Sequence, residues 1–296
     1  MTGLPIYSPV EQIFDPLFSE KKVEVFVKRD DMIHPFISGN KWRKLKYILS
    51  NAQTLNKKHL VTFGGAFSNH LLATACAAAK FGFKSTGIVR GETVQNDVLM
   101  LCKLFGMTIQ FTDRQSYRDK LSLYNTYFHK DSNAIFIDEG GAGEFGIQGC
   151  AELVDELQET YDHIFCAAGT GTTAAGIIKG IGKRSIPSKV HVIPVLKGGT
   201  FLRAEIERYT NHTFDLHPEY HGGGYAKTTA VHLAFIRHFC ESTGILIEPV
   251  YTGKMFFALY DLIRSDSFLI GSKILAIHTG GLMGVLGMSS KLNHDC

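Results

Sequence analysis

The sequence has few cysteines, and they lack the spacing of a disulfide scaffold or a zinc ribbon. Its 296 residues include six cysteines, at positions 76, 102, 150, 166, 240 and 296, and no two of them form a C-x-x-C pair. We therefore expect reduced thiols, as in a cytoplasmic protein. The N-terminal segment MTGLPIYSPVEQIFD also lacks the basic and apolar regions of an export signal.

An excess of charge of one sign is also missing. Lys and Arg total 31, Asp and Glu total 28, and the net charge is +3, so the composition gives no reason to expect binding to nucleic acid or to an anionic membrane. Residues 60–79 carry no Asp, Glu, Lys or Arg, but they contain Ser68, Asn69 and His70. A buried strand, turn and helix explain this run better than a membrane span. The length allows about two domains or one large α/β domain.

Short β-rich runs alternate with helical patterns along the chain. This alternation predicts βαβ units and a mostly parallel sheet, in which ligands bind at the carboxyl ends of the strands. The glycine-rich stretch Gly140–Gly149 is the best candidate for a crossing between domains. The predicted strands are Glu24–Lys28, Leu60–Phe63, Ser85–Val89, Thr108–Phe111, Ala134–Ile137, His163–Ala167, Val190–Val195 and Lys273–Ile277. The predicted helices are Lys41–Leu55, Ser68–Phe81, Gln148–Thr160, Ala174–Gly182, Thr228–Cys240 and Lys254–Arg264.

The turn Phe63–His70 (FGGAFSNH) joins a predicted strand to a predicted helix through two glycines. Ser68 or Asn69 fits as a helix N-cap, and the unpaired amides of a helix start can also bind an anion. Spacing alone leaves both interpretations open. Ser68 is not part of a G-x-S-x-G elbow, and His70 would not face it on a helix, so a serine hydrolase is disfavoured.

A second turn, Ala167–Gly176 (AAGTGTTAAG), follows an apolar strand. Its small residues and threonine hydroxyls suit a phosphate group. Gly169-x-Gly171-x-x-Ala174 also fits the dinucleotide fingerprint, but that fingerprint needs an acidic residue about 20 residues further on. The corresponding segment, HVIPVLKGG, contains no acid. The turn therefore predicts phosphate binding and disfavours an NAD-linked dehydrogenase.

Lys41 lies in SGNKWRKL (Ser38–Leu45), at the start of a predicted helix, where a cation is unfavourable. Most lysines are solvated surface residues, but a lysine that loses its proton or reacts through its amine avoids this penalty. The segments Glu248–Lys254 (EPVYTGK) and Ile277–Gly281 (IHTGG) are two more candidate ligand-facing regions.

No metal site is predicted. The nearest candidate is a group of residues in one loop-like stretch, without H-E-x-x-H spacing or cysteine partners. The members of this group are His212, His217, Glu219 and His221.

In their order along the chain, these motifs resemble the pyridoxal-phosphate enzymes of the D-cysteine desulfhydrase and 1-aminocyclopropane-1-carboxylate (ACC) deaminase family. KRDD at Lys28–Asp31 matches that family as well, and the resemblance covers nearly the whole chain. It implies the tryptophan synthase β-like fold, an α/β fold with two three-layer αβα domains and mostly parallel twisted sheets. It further implies a large domain of residues 1–43 plus 142–296, a small inserted domain of residues 44–141, and a homodimer.

The resemblance also implies a role for each matching residue. Lys41 would carry pyridoxal phosphate on its amine and move the Cα proton of the substrate. Ser68, with the amides of Asn69 and His70, would bind the substrate carboxylate, and Ser68 is also a candidate nucleophile. Tyr251 and, more weakly, Tyr225 are the acid/base candidates. The other implied cofactor contacts are Asn69 to the ring oxygen, Gly169, Thr170, Gly171, Thr172 and Thr173 to the phosphate, and Thr279 to the pyridine nitrogen.

Two positions bear on the substrate, a small amino acid. ACC deaminases carry Glu and Leu where this chain has Thr252 and Thr279, and the two threonines match the desulfhydrase pattern. This pattern favours α,β-elimination, with D-cysteine giving pyruvate, ammonia and sulfide. An ACC deaminase and a catalytically idle relative that binds the cofactor and an amino acid are the alternatives. The departures from the family pattern, such as Phe67 before Ser68, lie on the substrate side.

Overall fold

A computed structural model describes residues 3–289 and 292, which form two sheets with helices on both faces. The strands are β1 (Val10–Ile13), β2 (Glu24–Lys28), β3 (His59–Gly65), β4 (Lys84–Arg90), β5 (Thr108–Thr112), β6 (Ala134–Ile137), β7 (His163–Ala168), β8 (Lys189–Pro194), β9 (Asp215–Leu216) and β10 (Lys273–Ile277). The α-helices are α1 (Pro16–Lys21), α2 (Asn40–Thr54), α3 (Asn69–Phe81), α4 (Asp97–Leu104), α5 (Lys120–Phe128), α6 (Glu144–Asp155), α7 (Thr172–Lys183), α8 (Leu202–Glu207), α9 (Ala230–Thr243) and α10 (Thr252–Arg264).

The first sheet has six strands in the order β1-β2-β10-β7-β8-β9. Only its edge strand β1 runs antiparallel to its neighbour, and the other pairs are parallel. The second sheet has four parallel strands in the order β5-β4-β3-β6. All four strands lie between residues 59 and 137, inside the segment for which the resemblance implies an inserted domain.

Alternate residues of each strand face different helical layers, which makes each sheet the middle of a sandwich. On β7, Phe165 and Ala167 pack with residues of α1, α9 and α10, whereas Ile164 and Cys166 pack with residues of α6, α7 and α8. The four-stranded sheet is covered by α2, α3 and α4 on one face and by α5 on the other. Strands buried on both faces are typical of parallel sheets.

The predicted strands are present, with ends that differ by at most two residues. The strands β1 and β9 and the helices α1, α4, α5 and α8 were not predicted. None of these six elements is longer than nine residues. Each is therefore too short for its periodicity to be recognised in the sequence.

The helix predicted over Gln148–Thr160 is present, but both of its predicted ends are wrong. The helix α6 begins at Glu144 and ends at Asp155, so it takes in glycines that we interpreted as a domain crossing. Gly149 is needed there because a Cβ at this position would lie 1.8 Å from the carbonyl oxygen of Arg43. On the facing helix α7, a Cβ at Gly176 would lie 2.5 Å from the Cβ of Cys150. These glycines let α2, α6 and α7 pack closely.

The five described cysteines are free thiols, and Cys296 lies outside the described residues. Within the described part of the chain, the helices are too short or too polar to cross a bilayer.

Candidate active site

Lys41 lies in the first turn of α2, directly beside the end of β10. Gly39 allows this approach, because its φ is +59° and a Cβ there would lie 1.9 Å from the carbonyl oxygen of Thr279. Asn40 donates its backbone N–H to the same oxygen over 3.3 Å. The two turns that the sequence singled out, more than 200 residues apart, therefore meet backbone to backbone.

The environment of Lys41 favours a neutral amine. Burial, and after it the nearby Lys44, lower the pKa of Lys41 to about 7. Lys44 is itself buried and donates to the carbonyl oxygen of Gly140 over 3.1 Å. Since an ordinary lysine has a pKa of about 10.4, Lys41 is far more nucleophilic at neutral pH than a surface lysine.

The turn between β7 and α7 lies next to the start of α2. Asn40 donates its side-chain N–H to Thr173 Oγ1 over 2.9 Å, which ties the two helix starts together. Gly171, with φ of +80°, precedes α7 and makes no side-chain cap. The hydroxyls of Thr170 and Thr172 lie 3.1 Å apart. A helix start with uncapped amides and adjacent hydroxyls can hold a phosphate group.

Ser68 and Asn69 form the start of α3 on the four-stranded sheet. Ser68 is the N-cap, and its Oγ accepts from the backbone N–H of Leu71 over 3.3 Å, so the cap interpretation is confirmed. Among the described residues, the buried Oδ1 of Asn69 has no hydrogen-bond partner. The Nδ2 of the same amide lies 2.7 Å from the position that a Cβ of Gly281 would take. This places the amide beside the turn that follows β10.

The side chain of His70 is packed into the interior. Its Nε2 lies 2.8 Å from Thr62 Oγ1, and the residue is 2% exposed. Burial lowers the pKa of His70 well below its ordinary value, and the nearby Lys41 and Lys44 lower it further. The ring is therefore neutral, and only the backbone amide of His70 belongs to the helix start.

Tyr225 and Tyr251 lie together beside the turn between β7 and α7. Their ring centroids are 6.1 Å apart at an angle of 77°, and a Cβ at Gly169 would lie 3.1 Å from Cε1 of Tyr251. Burial raises the pKa of Tyr251 well above its ordinary value, and Tyr225, Glu248 and then Glu139 raise it further. Its phenol therefore keeps its proton at neutral pH.

These groups fit pyridoxal phosphate. Lys41 offers an amine of lowered pKa for its aldehyde, the turn before α7 offers an uncapped helix start for the phosphate, and Asn69 offers a side-chain amide whose buried Oδ1 has no partner among the described residues. Residues 9–280 match the family model described as pyridoxal-phosphate dependent enzyme. The chain belongs to this family. Pyridoxal phosphate is its cofactor, as the family resemblance implied.

Several members of the family are similar to this enzyme over nearly its full length. A provisionally named 1-aminocyclopropane-1-carboxylate deaminase of Pyrococcus horikoshii is 30% identical, covering 98% of this chain and 94% of its own. The bifunctional D-cysteine desulfhydrase/1-aminocyclopropane-1-carboxylate deaminase of Arabidopsis thaliana is 29% identical, covering 88% of this chain and 73% of its own. A solved ACC deaminase homologue superimposes with a TM-score of 0.88 at 28% identity and covers 98% of this chain and 94% of its own. The fold is the tryptophan synthase β-like fold, so this prediction is confirmed.

In this pyridoxal-phosphate enzyme, the carboxylate of Glu248 holds the turn of Tyr251. No role was predicted for Glu248 from the sequence. It is 0% exposed and accepts from the backbone N–H groups of Val250, Tyr251 and Thr252, each over 2.7 Å. The Thr252 hydroxyl in turn accepts from the backbone N–H of Glu248 over 3.0 Å. Thr252 is 0% exposed, so its side chain belongs to the turn.

Lys254 ties the loop before Tyr225 to the end of β8. The ammonium donates to the carbonyl oxygens of Gly224 over 2.7 Å and of Val195 over 3.2 Å, and the residue is 1% exposed. Burial lowers the pKa of Lys254 to about 8. The sequence does not reveal this contact, because a lysine on a helix is most often a surface residue.

A buried ion cluster orients the helix that carries Lys41. Arg43 donates to Asp30 over 2.5 and 2.6 Å and to Glu156 over 2.8 and 2.9 Å. Lys28 lies 2.9 Å from Glu156. The KRDD motif, which entered the sequence analysis only through the family resemblance, thus has a physical reason. It anchors α2 to the six-stranded sheet.

Proposed function

We propose that this enzyme catalyses α,β-elimination from a small amino acid and that D-cysteine is its substrate. The observation that carries the proposal is that one turn contacts both the helix start that bears Lys41 and the ring of Tyr251. Asn40 donates to Thr173 Oγ1 over 2.9 Å, and a Cβ at Gly169 would lie 3.1 Å from Cε1 of Tyr251. Threonine at positions 252 and 279 matches the desulfhydrase pattern. Relatives named for D-cysteine desulfhydrase and for ACC deaminase are both similar to the chain, and the threonines favour the first.

We assign the cofactor contacts from the same positions. Lys41 would bind pyridoxal phosphate covalently, Asn69 would meet the ring oxygen, and Thr279 would meet the pyridine nitrogen. The phosphate would be held by the turn residues Gly169, Thr170, Gly171, Thr172 and Thr173. Because Thr279 offers a neutral hydroxyl, the ring nitrogen would stay largely unprotonated, which makes the cofactor a milder electron sink than one paired with a carboxylate.

The residues of the chain then divide the proton transfers between them. Bound pyridoxal phosphate supplies an electron sink that makes the Cα–H bond of the substrate acidic. The Ser68 hydroxyl and the amides of Asn69 and His70 would bind the substrate carboxylate. Lys41 Nζ would take the Cα proton, and the Tyr251 hydroxyl, with Tyr225 beside it, would donate a proton to the sulfur as the Cβ–S bond breaks. One D-cysteine and one water would give pyruvate, ammonia and hydrogen sulfide.

The substrate is tested by incubating the holoenzyme separately with D-cysteine, L-cysteine, D-serine and ACC, while sulfide and 2-oxo acid are quantified. We expect the highest kcat/KM with D-cysteine and equal amounts of sulfide and pyruvate. Activity on ACC alone would show that the two threonines do not exclude that substrate, and Ser68 would then be the candidate nucleophile. Cofactor binding without any product would identify a catalytically idle relative.

The covalent role of Lys41 is tested by borohydride reduction and peptide mapping. We expect the visible absorbance to disappear, with a stable adduct on the peptide that contains Lys41. Lys41→Ala is expected to lower kcat by more than about 10⁴-fold, since it removes both the covalent anchor and the proton carrier. Lys46→Ala, on the same helix but partly exposed, is the control and is expected to keep the adduct. An unlabelled Lys41 peptide in active protein would disprove the assignment.

We also propose that residues 1–43 with 142–296 and residues 44–141 form two domains, and that the enzyme is a cytoplasmic homodimer. The confinement of the four-stranded sheet to residues 59–137 supports the first part. Sedimentation of the holoenzyme tests the second, which a monomer mass would contradict.

A further inference from the structure

Three histidines lie in a row on one face of the six-stranded sheet. His163 is on β7, His191 is on β8, and His217 directly follows β9. The Nδ1 of His163 lies 3.0 Å from the Nε2 of His191, and the Nδ1 of His191 lies 3.0 Å from the Nε2 of His217. Phe165 stacks on the His191 ring, with centroids 4.5 Å apart and an angle of 8°. Packing therefore fixes the central ring.

The carboxylate of Asp215 also approaches Nδ1 of His191. The Oδ2 of Asp215 lies 3.8 Å from His191 Nδ1, and one ligand atom from each of His191, Asp215 and His217 lies within 4.8 Å of the other two. In a tetrahedral zinc site, bonds of about 2.0–2.1 Å place the ligand atoms roughly 3.3 Å apart. The observed separations lie on both sides of this value, so small side-chain movements would bring all three atoms to one ion.

Hydrogen bonding between the imidazoles accounts for only part of this arrangement. Two neutral rings can share one proton, which explains each 3.0 Å contact. The carboxylate of Asp215 lies beside Nδ1 of His191 because Asp215 is the register partner of His191 in the β8–β9 pair. The same carboxylate oxygen is 2.7 Å from Lys189 Nζ, so its negative charge is already balanced in the absence of an ion.

We propose that His191 Nδ1, His217 Nε2 and Asp215 Oδ2 bind a divalent transition-metal ion of the Zn²⁺ type. Two histidines and a carboxylate are a common ligand set for such ions, with water in the remaining position.

The second ring nitrogen of each ligand has a suitable outer partner. His191 Nε2–H would donate to His163, and His217 Nδ1–H would donate to Glu219, whose Oε1 is 3.4 Å away. Such outer contacts orient ligating histidines in metal sites. Asp215 and His217 are only partly buried, which leaves a route for the ion.

This site is separate from Lys41 and does not depend on the proposed reaction. The ion would join β8 to the short edge strand β9, which has only two residues. It would also hold the start of the segment that leads through Pro218–His221 to Tyr225.

The four residues considered from the sequence do not form this site. His212 packs against Gly182, and His221 accepts from the backbone N–H of Gly223 within its own loop. Of that group, His217 belongs to the proposed site as a ligand and Glu219 as its outer partner. His191 was missed because it lies 26 residues before His217, whereas Asp215 lies in the same stretch and was passed over.

The test is equilibrium dialysis of the EDTA-treated holoenzyme against ZnCl₂, with bound metal counted by mass spectrometry. We expect one Zn²⁺ per chain, and at least about tenfold weaker binding in His217→Gln and in Asp215→Asn. Both residues are partly exposed, so these variants are expected to fold, as circular dichroism will check. His212→Gln is the matched control and should bind like the original chain. Absence of a stoichiometric ion, or unchanged binding in both ligand variants, would overturn the proposal.

X-ray absorption of the zinc-loaded holoenzyme gives an independent readout. We expect only nitrogen and oxygen neighbours at about 2.0–2.2 Å. Sulfur at about 2.3 Å would assign the ion to cysteines and reject the histidine site.

Discussion

The turns around Lys41 and the turn that carries Ser68 are stabilised in different ways. On the six-stranded sheet, Glu248 accepts three backbone N–H groups while 0% exposed, and Gly39 presses against a neighbouring carbonyl. On the four-stranded sheet, Ser68 caps its own helix, and the adjacent Phe67 is 49% exposed.

The two regions differ in how strictly their contacts must be kept. Buried polar contacts must be complete, because an unpaired charge or amide in the interior is costly, so the turns around Lys41 tolerate little change. A local cap and an exposed ring impose weaker demands. The departure from the family pattern at Phe67 lies on this less constrained side, which suits a region that distinguishes substrates.

The largest loss of stability is expected from Asp30→Ala, which removes a partner of the buried Arg43. Both side chains are 1% exposed, and breaking a buried ion pair from one side costs about 3–5 kcal/mol. Denaturant unfolding of the holoenzyme measures this loss. Glu205→Ala is the control, because it breaks a largely exposed pair with Arg208 and is expected to cost about 0–1 kcal/mol. Equal losses of stability in the two variants would show that burial of the ion pair does not determine its contribution.

Gly39→Ala is expected to cause the next largest loss of stability. The new Cβ would meet the carbonyl oxygen of Thr279 at 1.9 Å, so the turn must open, and we expect a loss of about 3 kcal/mol together with weaker cofactor binding. Gly82→Ala shares a positive φ, +75°, but has nothing within 4 Å of the new atom. Its expected cost is about 1 kcal/mol. The difference between the free energies of unfolding of the two variants measures the cost of the clash with the Thr279 carbonyl. A difference near zero would show that Gly39 does not lie as close to this carbonyl as the structure has it.

Ser68→Ala tests the other side of the comparison. Loss of an N-cap costs about 1 kcal/mol, and Asp119→Ala, which removes the cap of α5, should cost the same. Only Ser68→Ala is expected to raise KM for D-cysteine, by about tenfold, because it removes one hydrogen bond to the substrate carboxylate. Steady-state kinetics of both variants provide the measurement. An unchanged KM in Ser68→Ala would leave Ser68 with a structural role alone.

The smallest change is expected in the pH dependence of Lys41 in cofactor-free protein. With its pKa lowered to about 7, the neutral fraction rises only about twofold from pH 7 to pH 9, whereas that of an ordinary lysine with a pKa of about 10.4 rises by more than tenfold. Acylation rates followed by peptide mapping should therefore level off above about pH 8 for Lys41. A rate that keeps rising to pH 9 would contradict the lowered pKa.

The sequence predicted the turns of the candidate site better than the contacts that hold them. SGNKWRKL and AAGTGTTAAG stand out because their residue types are unusual at a helix start. Glu248 and Lys254 do not stand out, because an acid before a proline and a lysine on a helix are ordinary locally. Their roles depend on burial and on partners elsewhere in the chain. The start of α6 was misplaced for the same reason, since its glycines are explained by contacts with α2 and α7.

By itself, the sequence determined the family, the cofactor, the parallel α/β class and the segments from which the site is built, because these depend on residue type and local order. The tertiary structure decided which residues are neighbours. It brings the turn of Gly39 against Thr279, buries Thr252 within the turn of Glu248, and gathers His191, Asp215 and His217 across adjacent strands. Strand order and burial set these contacts, and both arise from packing the whole chain, which no local pattern specifies.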